Sequence, residues 1–113
     1  MDVEATTRFV RISPQKARDV IHLIRGLPAS DALELMRFSP RKAARLVGMT
    51  LRSAIANAES NHELDATSLW VKEAIVGSGP SIKRFQPKAR GMAGPIIKRT
   101  SHIRIVLSDD ELG

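Results

Sequence analysis

Six cationic side chains lie close together in the stretch that runs from Gly77 to His102. This stretch holds six of the eighteen Lys and Arg residues of the chain and contains no Asp or Glu. Ammonium and guanidinium groups without acids beside them are suited to binding phosphate groups, which carry closely spaced negative charge. The chemistry that this stretch indicates is therefore anion binding. The cations are Lys83, Arg84, Lys88, Arg90, Lys98 and Arg99.

Side chains of the kinds that perform catalysis or bind metals do not occur at the required spacing. His22, His62 and His102 lie forty residues apart, and the chain has no cysteine, so we expect no metal site. Gly77 and Gly79 lack the Lys and the Ser or Thr that end a phosphate-binding loop. No Ser, His and Asp can be grouped without assuming a fold. We therefore expect neither enzymatic activity nor a cofactor.

Positive charge is distributed unevenly along the chain. Residues 1–73 carry eleven Lys and Arg and nine Asp and Glu. Residues 74–108 carry seven Lys and Arg and no Asp or Glu, and residues 109–113 carry three acids and no cation. The net charge of the whole chain is +6. A merely solvated basic surface usually mixes both signs, so we favour a nucleic-acid-binding protein over that alternative.

The segments on either side of the basic stretch must position it. Apolar and β-branched residues are concentrated in Leu69–Val76 and Ile96–Leu107, which predicts two strands, and the prolines between them exclude a helix. The second segment alternates Ile103, Ile105 and Leu107 with His102, Arg104 and Val106. A structureless loop of this length would be unusual, so we predict a long antiparallel hairpin that turns within Pro87–Gly94. At about 3.3 Å per residue the arm could reach roughly 40 Å. An isolated two-stranded ribbon is only marginally stable, so an external partner should hold it.

The remaining segments predict a body of helices and strands. We expect a first strand over Ala5–Ile12 and a first helix that has Ser13 as its N-cap, Pro14 in its first turn and Gly26 as its stop. A short second helix is expected within Pro28–Phe38. The predicted inward side chains of these two helices are Ala17, Val20, Ile21, Ile24, Ala32, Leu35 and Met36.

The longest helix is predicted to begin after Ser39 and Pro40, which repeat the Ser-Pro pair of the first helix, and to end near Asn61. Its two faces differ in polarity. A polar turn over Asn61–Ser68 then leads to the strand that precedes the arm. The predicted apolar face consists of Ala43, Val47, Leu51, Ala54, Ile55 and Ala58, and the opposite side carries Arg41, Arg45, Arg52 and Glu59.

Both helices that follow a Ser-Pro pair have cations in their first turn. The helix macrodipole disfavours a cation there by some tenths of a kcal/mol, which suggests an external anion. Phosphate contact and plain solvation are equally good interpretations of Arg11, Lys16 and Arg18.

Three aromatic side chains receive different interpretations. Trp70 and Phe9 lie among strand residues of the body, so we expect them to join the core or cover the sheet rather than stack on bases. Phe85 lies in the basic arm, where no core is available to it. Stacking on a base or filling an RNA crevice is at least as good an interpretation of Phe85 as a structural role.

Length and composition limit the class of protein. The 113 residues predict one domain, and the lack of cysteine excludes disulfides and is compatible with a reducing cytosol. No apolar run approaches the length of a membrane span, and the first residues do not form a signal peptide. We therefore expect no membrane partner. The apolar stripes of the helices are one-sided, so we also expect no homo-oligomer. The expected location is the cytoplasm.

Several short segments occur in a specific order and at specific intervals along nearly the whole chain. Any one of them alone would be a weak signal, whereas together they are highly specific. The segments are Arg11–Pro14 with Lys16, Ser53–Ala58, Gly79–Pro80 through Lys83–Arg84, Pro87 with Ala89–Gly91, and Lys98–Ile103. In these segments the chain closely resembles the bacterial type of large-subunit ribosomal protein L twenty-two.

The resemblance implies an α+β fold in which three helices pack on a small antiparallel three-stranded sheet, with two strands extended into a long basic β-hairpin arm. It implies a single ribosomal-protein domain with a globular body at residues 1–76 and 102–108, an arm at about 77–101 and an acidic tail at 109–113. The arm would run through ribosomal RNA to the wall of the peptide exit tunnel. The expected function is that of a structural constituent of the large ribosomal subunit.

The partners that the resemblance implies are large-subunit ribosomal RNA, neighbouring ribosomal proteins and, at the arm tip, the nascent peptide. Met92 stands where such proteins usually have a basic residue, and Pro95 is unusual on the returning strand. The tip is expected to consist of Lys88, Ala89, Arg90, Gly91 and Met92. The expected RNA-binding residues are Arg8, Arg11, Ser13, Lys16, Arg18, Arg25, Lys83, Arg84, Phe85, Lys88, Arg90, Lys98, Arg99, Thr100, Ser101 and His102.

The alternative function is that of a DNA-bending architectural protein. Paired basic β-arms with a proline near the tip can also insert into a minor groove. Bending proteins of this kind usually act as dimers, and the one-sided helices of this chain offer no extensive dimer surface. We therefore favour the RNA-binding interpretation.

Overall fold

The computed structural model describes residues 1–78 and 100–110 and the backbone of residues 82–87 and 93–98. Within these residues the fold is α+β, as predicted, with three α-helices and a three-stranded antiparallel sheet, here called the main sheet. Two further strands pair with each other and form the ribbon. The elements are β1 (Asp2–Val10), α1 (Pro14–Ile21), α2 (Ala29–Phe38), α3 (Lys42–His62), β2 (Trp70–Ser78), β3 (Ile82–Pro87), β4 (Ala93–Lys98) and β5 (Ser101–Ser108).

The central strand of the main sheet is β5, with β1 on one side and β2 on the other. Both pairings are antiparallel, and Ile105 pairs with Ala5 in β1 and with Ala74 in β2. Ile103, Ile105 and Leu107 are completely buried, which confirms the predicted alternation of this strand. Because α1 and α3 pack on the main sheet, the core lies between the helices and one face of that sheet.

The first strand begins earlier than the sequence predicted, since its alternation of exposed and buried residues already includes Val3. The pairing of β1 with β5 shifts in register between Thr7 and Val10. Phe9 lies at this shift with a φ of 56°, and its side chain is 61% exposed. The prediction that Phe9 joins the core or covers the sheet is therefore wrong, because the irregular backbone turns Phe9 outward and returns Val10 to the core.

The start of α1 is determined by the capping pair that the sequence predicted. The Ser13 hydroxyl accepts a hydrogen bond from the Lys16 N–H at 3.4 Å, and Pro14 is the first helical residue. The helix ends after eight residues, before Gly26, and the chain continues in tight turns that keep Ile24 buried. Gly26 has a φ of 79°, which glycine adopts without strain.

Small residues bring α2 and α3 close together. Gly48 of α3 is buried, and a Cβ atom at this position would lie 3.4 Å from the Cβ of Met36 in α2. Ala32 and Met36 are buried as predicted, but Leu35 is 42% exposed, so its predicted inward position is wrong. The packed stripe of α2 is too narrow to include it. The apolar face of α3 is confirmed, with Ile55 partly buried and Ala43, Val47, Leu51, Ala54 and Ala58 fully so.

The second Ser-Pro pair does not cap a helix. The first residue of α3 is Lys42, and Arg41 occupies the N-cap position without a side-chain hydrogen bond to the first turn. The Ser39 hydroxyl instead accepts a hydrogen bond from the Arg41 N–H at 3.4 Å. The predicted repeat of the capping device is therefore wrong, because the helix begins too late for Ser39 to reach its first-turn N–H groups.

A short 3₁₀-helix (Ala66–Ser68) lies in the polar turn that the sequence predicted, and β2 follows it as predicted. Leu69 and Val71 are buried, whereas Trp70 between them is half-buried. The indole N–H of Trp70 donates a hydrogen bond to the carbonyl oxygen of Asp110 at 2.6 Å. Trp70 therefore covers one end of the main sheet and ties down the chain after β5.

The ribbon is formed by β3 and β4, which pair antiparallel with Phe85 opposite Pro95. The sequence predicted a single strand over Ile96–Leu107, whereas the structure divides that segment between β4 and β5. Residues 88–92, where the tip of the arm is predicted, lie outside the described residues. The reach of the arm and the position of its turn stay predictions.

The left-handed backbone of Phe9 makes a testable prediction. Phe9→Gly and Phe9→Ala both remove the exposed ring, but only glycine adopts a φ of 56° without a steric cost. We expect the Gly variant to be more stable than the Ala variant by about 1 kcal/mol in urea unfolding. At Thr6, in the regular part of β1, the same pair of substitutions should show the opposite order. Equal stabilities of the two Phe9 variants would contradict the backbone assignment.

Candidate nucleic-acid interface

The residues predicted to bind RNA fall into two groups. One group lies on the body, in β1, around α1 and at the start of β5, and its side chains are described below. For Lys83, Arg84, Phe85 and Lys98 the structure gives the strand pairing of the backbone. Outside the described residues lie Lys88, Ala89, Arg90, Gly91, Met92 and Arg99.

Two arginines of the body bind the backbone of β2. The Arg25 guanidinium donates hydrogen bonds from Nε and Nη2 to the carbonyl oxygen of Ala74, at 2.9 and 2.7 Å. Arg18 donates from Nη2 to the carbonyl oxygen of Val76 at 3.4 Å. Because β2 is an edge strand of the main sheet, these bonds satisfy carbonyl groups that would otherwise face solvent. Each guanidinium has five N–H donors, so both arginines retain donors for a phosphate.

Cations around the start of α1 are exposed and lack acidic partners. Within the described part of the chain, no carboxylate oxygen lies within 4.0 Å of the side-chain nitrogens of Arg8, Arg11 or Lys16. Lys42 Nζ donates a hydrogen bond to the carbonyl oxygen of Arg11 at 3.1 Å, which adds a further cation next to this group. Ser13 is occupied as the N-cap of α1.

The residues at the start of β5 hold the fold together. Ser101 is completely buried, and its hydroxyl donates a hydrogen bond to the carbonyl oxygen of Ile12 at 2.7 Å. Thr100 is also buried. The His102 Nδ1 atom accepts a hydrogen bond from the Phe9 N–H at 3.1 Å, and the two rings meet edge to face with centroids 5.0 Å apart. These contacts fasten β1 and the chain before α1 to β5, and the predicted RNA contacts of Thr100, Ser101 and His102 stay predictions.

The exposed face of the main sheet differs from the surface around α1, because its cations are paired with acids. Lys72 Nζ lies 2.7 Å from the Asp2 carboxylate, and the Arg104 guanidinium binds the Glu4 carboxylate. The hydrogen bond from Lys72 holds the pKa of Asp2 below its usual value. Surface pairs of this kind contribute little to stability, but they neutralise the cations locally. Lys72 and Arg104 are therefore neutralised, whereas Arg8 of β1 and the cations at the start of α1 have no carboxylate partner among the described residues.

Sequence reasoning missed Phe9 as a surface residue. Its exposure depends on the register shift between β1 and β5, and β5 begins more than ninety residues later in the chain. No local pattern in β1 signals that shift. The exposed ring of Phe9 and the His102 ring together form a small aromatic surface, and Arg8, the one cation of β1, precedes Phe9 in the chain.

Metal-binding and membrane-spanning features do not occur in the described ranges. No group of three or more His, Cys, Asp or Glu in them could hold a metal ion. None of their helices is both long enough and apolar enough to cross a membrane. What the described surface offers is a set of unpaired cations.

Comparison with known proteins identifies close relatives of the chain. Residues 5–108 match the family model for ribosomal protein L22p/L17e. A protein of Methylacidiphilum infernorum named large ribosomal subunit protein uL22 is 54% identical over 111 residues, which cover 98% of this chain and 97% of the relative. Proteins of the same name from Lactobacillus helveticus and Opitutus terrae are 52% and 51% identical, covering 94% and 96% of this chain and 91% and 96% of the relatives. These relatives are named as ribosomal proteins and not as enzymes, which agrees with the expectation from the sequence.

Removing the buried hydroxyl of Ser101 tests whether this residue serves the fold or binds RNA. Ser101→Ala leaves the buried carbonyl of Ile12 without its donor, so we expect the free energy of unfolding to fall by about 1–3 kcal/mol. Ser53→Ala, on the exposed side of α3, should leave stability almost unchanged. If Ser101→Ala were as stable as Ser53→Ala but bound RNA more weakly, the hydroxyl would serve RNA and not the fold.

Proposed function

The chain belongs to the family of ribosomal protein L22p/L17e, and on this basis we propose that it binds ribosomal RNA through both its body and its basic arm. It is a protein of the large ribosomal subunit, and it works in the cytoplasm as part of the ribosome. Its role there is structural: it holds RNA segments and neighbouring ribosomal proteins in position and catalyses no reaction.

The observation that carries this proposal is the concentration of unopposed positive charge. Residues 74–108 contain seven Lys and Arg and no acid, and six of these cations lie in the basic stretch between Gly77 and His102, the seventh being Arg104. The acids of residues 1–73 nearly balance the cations of those residues. Two of those acids are used in pairs with Lys72 and Arg104 on the main sheet. Phosphates are the anions that a long cationic segment binds without further specificity. The antiparallel backbone pairing of β3 and β4 supports the ribbon as the carrier of this segment.

Family resemblance supports a finer proposal for the tip of the arm. We propose that the tip (Lys88, Ala89, Arg90, Gly91 and Met92) lines the peptide exit tunnel and meets the nascent peptide. The two cations of the tip would contact RNA of the tunnel wall, and Met92, the one large apolar residue of the five, would face the lumen.

The competing proposal of a DNA-bending protein can be tested directly. We expect the purified chain to bind large-subunit ribosomal RNA in preference to duplex DNA of equal length in a native gel at equal salt. Preferential binding of the DNA, with a change in DNA bend angle, would favour the architectural function instead. Family membership already argues against it.

The arm makes a quantitative prediction about salt dependence. Replacing Lys83 and Arg84 by Ala should flatten the plot of log affinity for ribosomal RNA against log salt by roughly 0.7–0.9 for each phosphate that the variant no longer neutralises. The matched control is Lys72→Ala with Arg104→Ala, which removes the same charge from two side chains that are already paired with acids. An equal change of slope in both double variants would mean that net charge alone matters and that Lys83 and Arg84 bind no phosphates.

A further inference from the structure

A cleft of about 820 Å³ lies between α2 and α3, on a part of the body that the predicted RNA-binding residues do not include. Its floor contains Leu33 and Met36 from α2 and Ala44 and Gly48 from α3. The two helices approach closely at Gly48, where a side chain would meet Met36. Long side chains around this contact form the walls, and five of them are cationic: Arg37, Arg41, Lys42, Arg45 and Arg52.

No acid lines this cleft within the part of the chain that the structure describes. The five cations also have no carboxylate oxygen of a described residue within 4.0 Å of their nitrogens. Lys42 bonds a carbonyl oxygen, and Arg37 lies 5.9 Å from the ring centre of Phe38, but neither interaction neutralises a charge. Because like charges repel, such a group is stabilised by an external polyanion.

The arginines at the start of α3 and along it form a row parallel to the helix axis. Arg45 and Arg52 follow Arg41 by four and eleven residues, which places all three on the same side of the helix. At 1.5 Å per residue the row is about 16 Å long, long enough to follow several phosphates of one nucleic-acid strand. A compact anion such as a single carboxylate would use only one end of this row.

The N-terminus of α3 opens into the same cleft and adds to its positive potential. Its first turn has no side-chain cap and no acidic residue, and Arg41 and Lys42 stand at the positive end of the helix dipole. An anion bound there would meet free backbone N–H groups as well as the two cations. The absence of a cap, which costs stability in the free protein, is compatible with a site completed by a phosphate.

An exposed aromatic ring next to Arg37 favours RNA over an acidic peptide. Phe38 is 77% exposed at the end of α2, and the Arg37 guanidinium lies against its ring. Unstacked bases of RNA bind to such rings by stacking, which a chain of carboxylates cannot do. The apolar floor of the cleft is likewise suited to a sugar or base face.

We propose that the α2–α3 cleft is a second RNA-docking surface, which binds the sugar-phosphate backbone of a ribosomal RNA strand along Arg41, Arg45 and Arg52, with Phe38 as a stacking platform. This inference rests on the proposed RNA-binding function and extends it to residues outside the basic arm. The cleft is carried by helices packed into the core, so it is in place before RNA binds.

The test compares three variants of the full chain for binding to large-subunit ribosomal RNA over a range of salt concentrations. Arg45→Gln with Arg52→Gln should flatten the salt slope by roughly 1.4–1.8, because two phosphates are no longer neutralised. Lys72→Gln with Arg104→Gln removes the same charge from paired side chains and should change the slope little. Phe38→Ala should weaken binding about tenfold without changing the slope, since a stacking interaction carries no charge.

The outcomes separate this proposal from the general one. If the wild-type chain binds RNA with an arm-dependent slope but the Arg45 and Arg52 variant behaves like its control, the cleft proposal alone is overturned. If wild-type binding shows no preference for RNA, the proposed function fails as well. Polyglutamate, added at the same concentration of charge as the RNA, tests whether the cleft binds an acidic peptide instead. If polyglutamate displaces RNA from the wild-type chain but not from the Arg45 and Arg52 variant, the cleft would be assigned to an acidic protein partner.

Discussion

The pairing of β5 with strands on both of its sides is the constraint on which the rest of the structure depends. β5 comes last of the described strands in the chain and yet occupies the centre of the main sheet. Its buried residues close the core, and Ser101 at its start bonds the chain before α1. The register of β2 with β5 runs to Ser78 opposite Ser101, so the two ends of the intervening segment are held side by side. The basic segment must therefore leave and re-enter the body at neighbouring positions, as the predicted hairpin requires.

The cations of the body fall into two groups, those paired with acids and those without an acidic partner among the described residues. On the main sheet, Asp2 and Glu4 neutralise Lys72 and Arg104, so this face presents little net charge. Around α1 and in the α2–α3 cleft, cations bond carbonyl oxygens or remain without a partner of opposite sign among the described residues. Local pairs tie strands together, whereas unopposed cations favour a polyanion. The nearly balanced net charge of residues 1–73 hides this division from any count of charged residues.

Local sequence patterns predicted the elements well where local physics decides them. The Ser13-Pro14 start of α1, the buried stripe of α3 and the alternation of β5 depend on capping chemistry and periodicity, and all three are confirmed. The prediction that Ser39 and Pro40 repeat the capping device was wrong, because a Ser-Pro pair can precede a helix without capping it. Phe9 and Leu35 were misplaced because their exposure depends on a register shift and on the crossing of two helices, which no single segment encodes.

The same distinction explains which parts of the candidate interface the sequence revealed. Cations in an acid-free segment are visible as a run in the sequence, so the basic stretch could be recognised from composition alone. The α2–α3 cleft could not be predicted in this way. Arg37 lies in α2 and the other cations lie at the start and in the middle of α3, so only the close approach of Gly48 to Met36 brings them together.

The two surfaces also differ in the cost of binding. An isolated two-stranded ribbon is marginally stable and loses entropy when a partner orders it, whereas a cleft between packed helices has already given up that freedom. If both surfaces bind RNA as proposed, RNA bound to the body would present the arm with its own RNA partner at a high effective concentration, so weak interactions of the arm would suffice. The body would then supply the initial encounter, and the arm would supply position along the RNA.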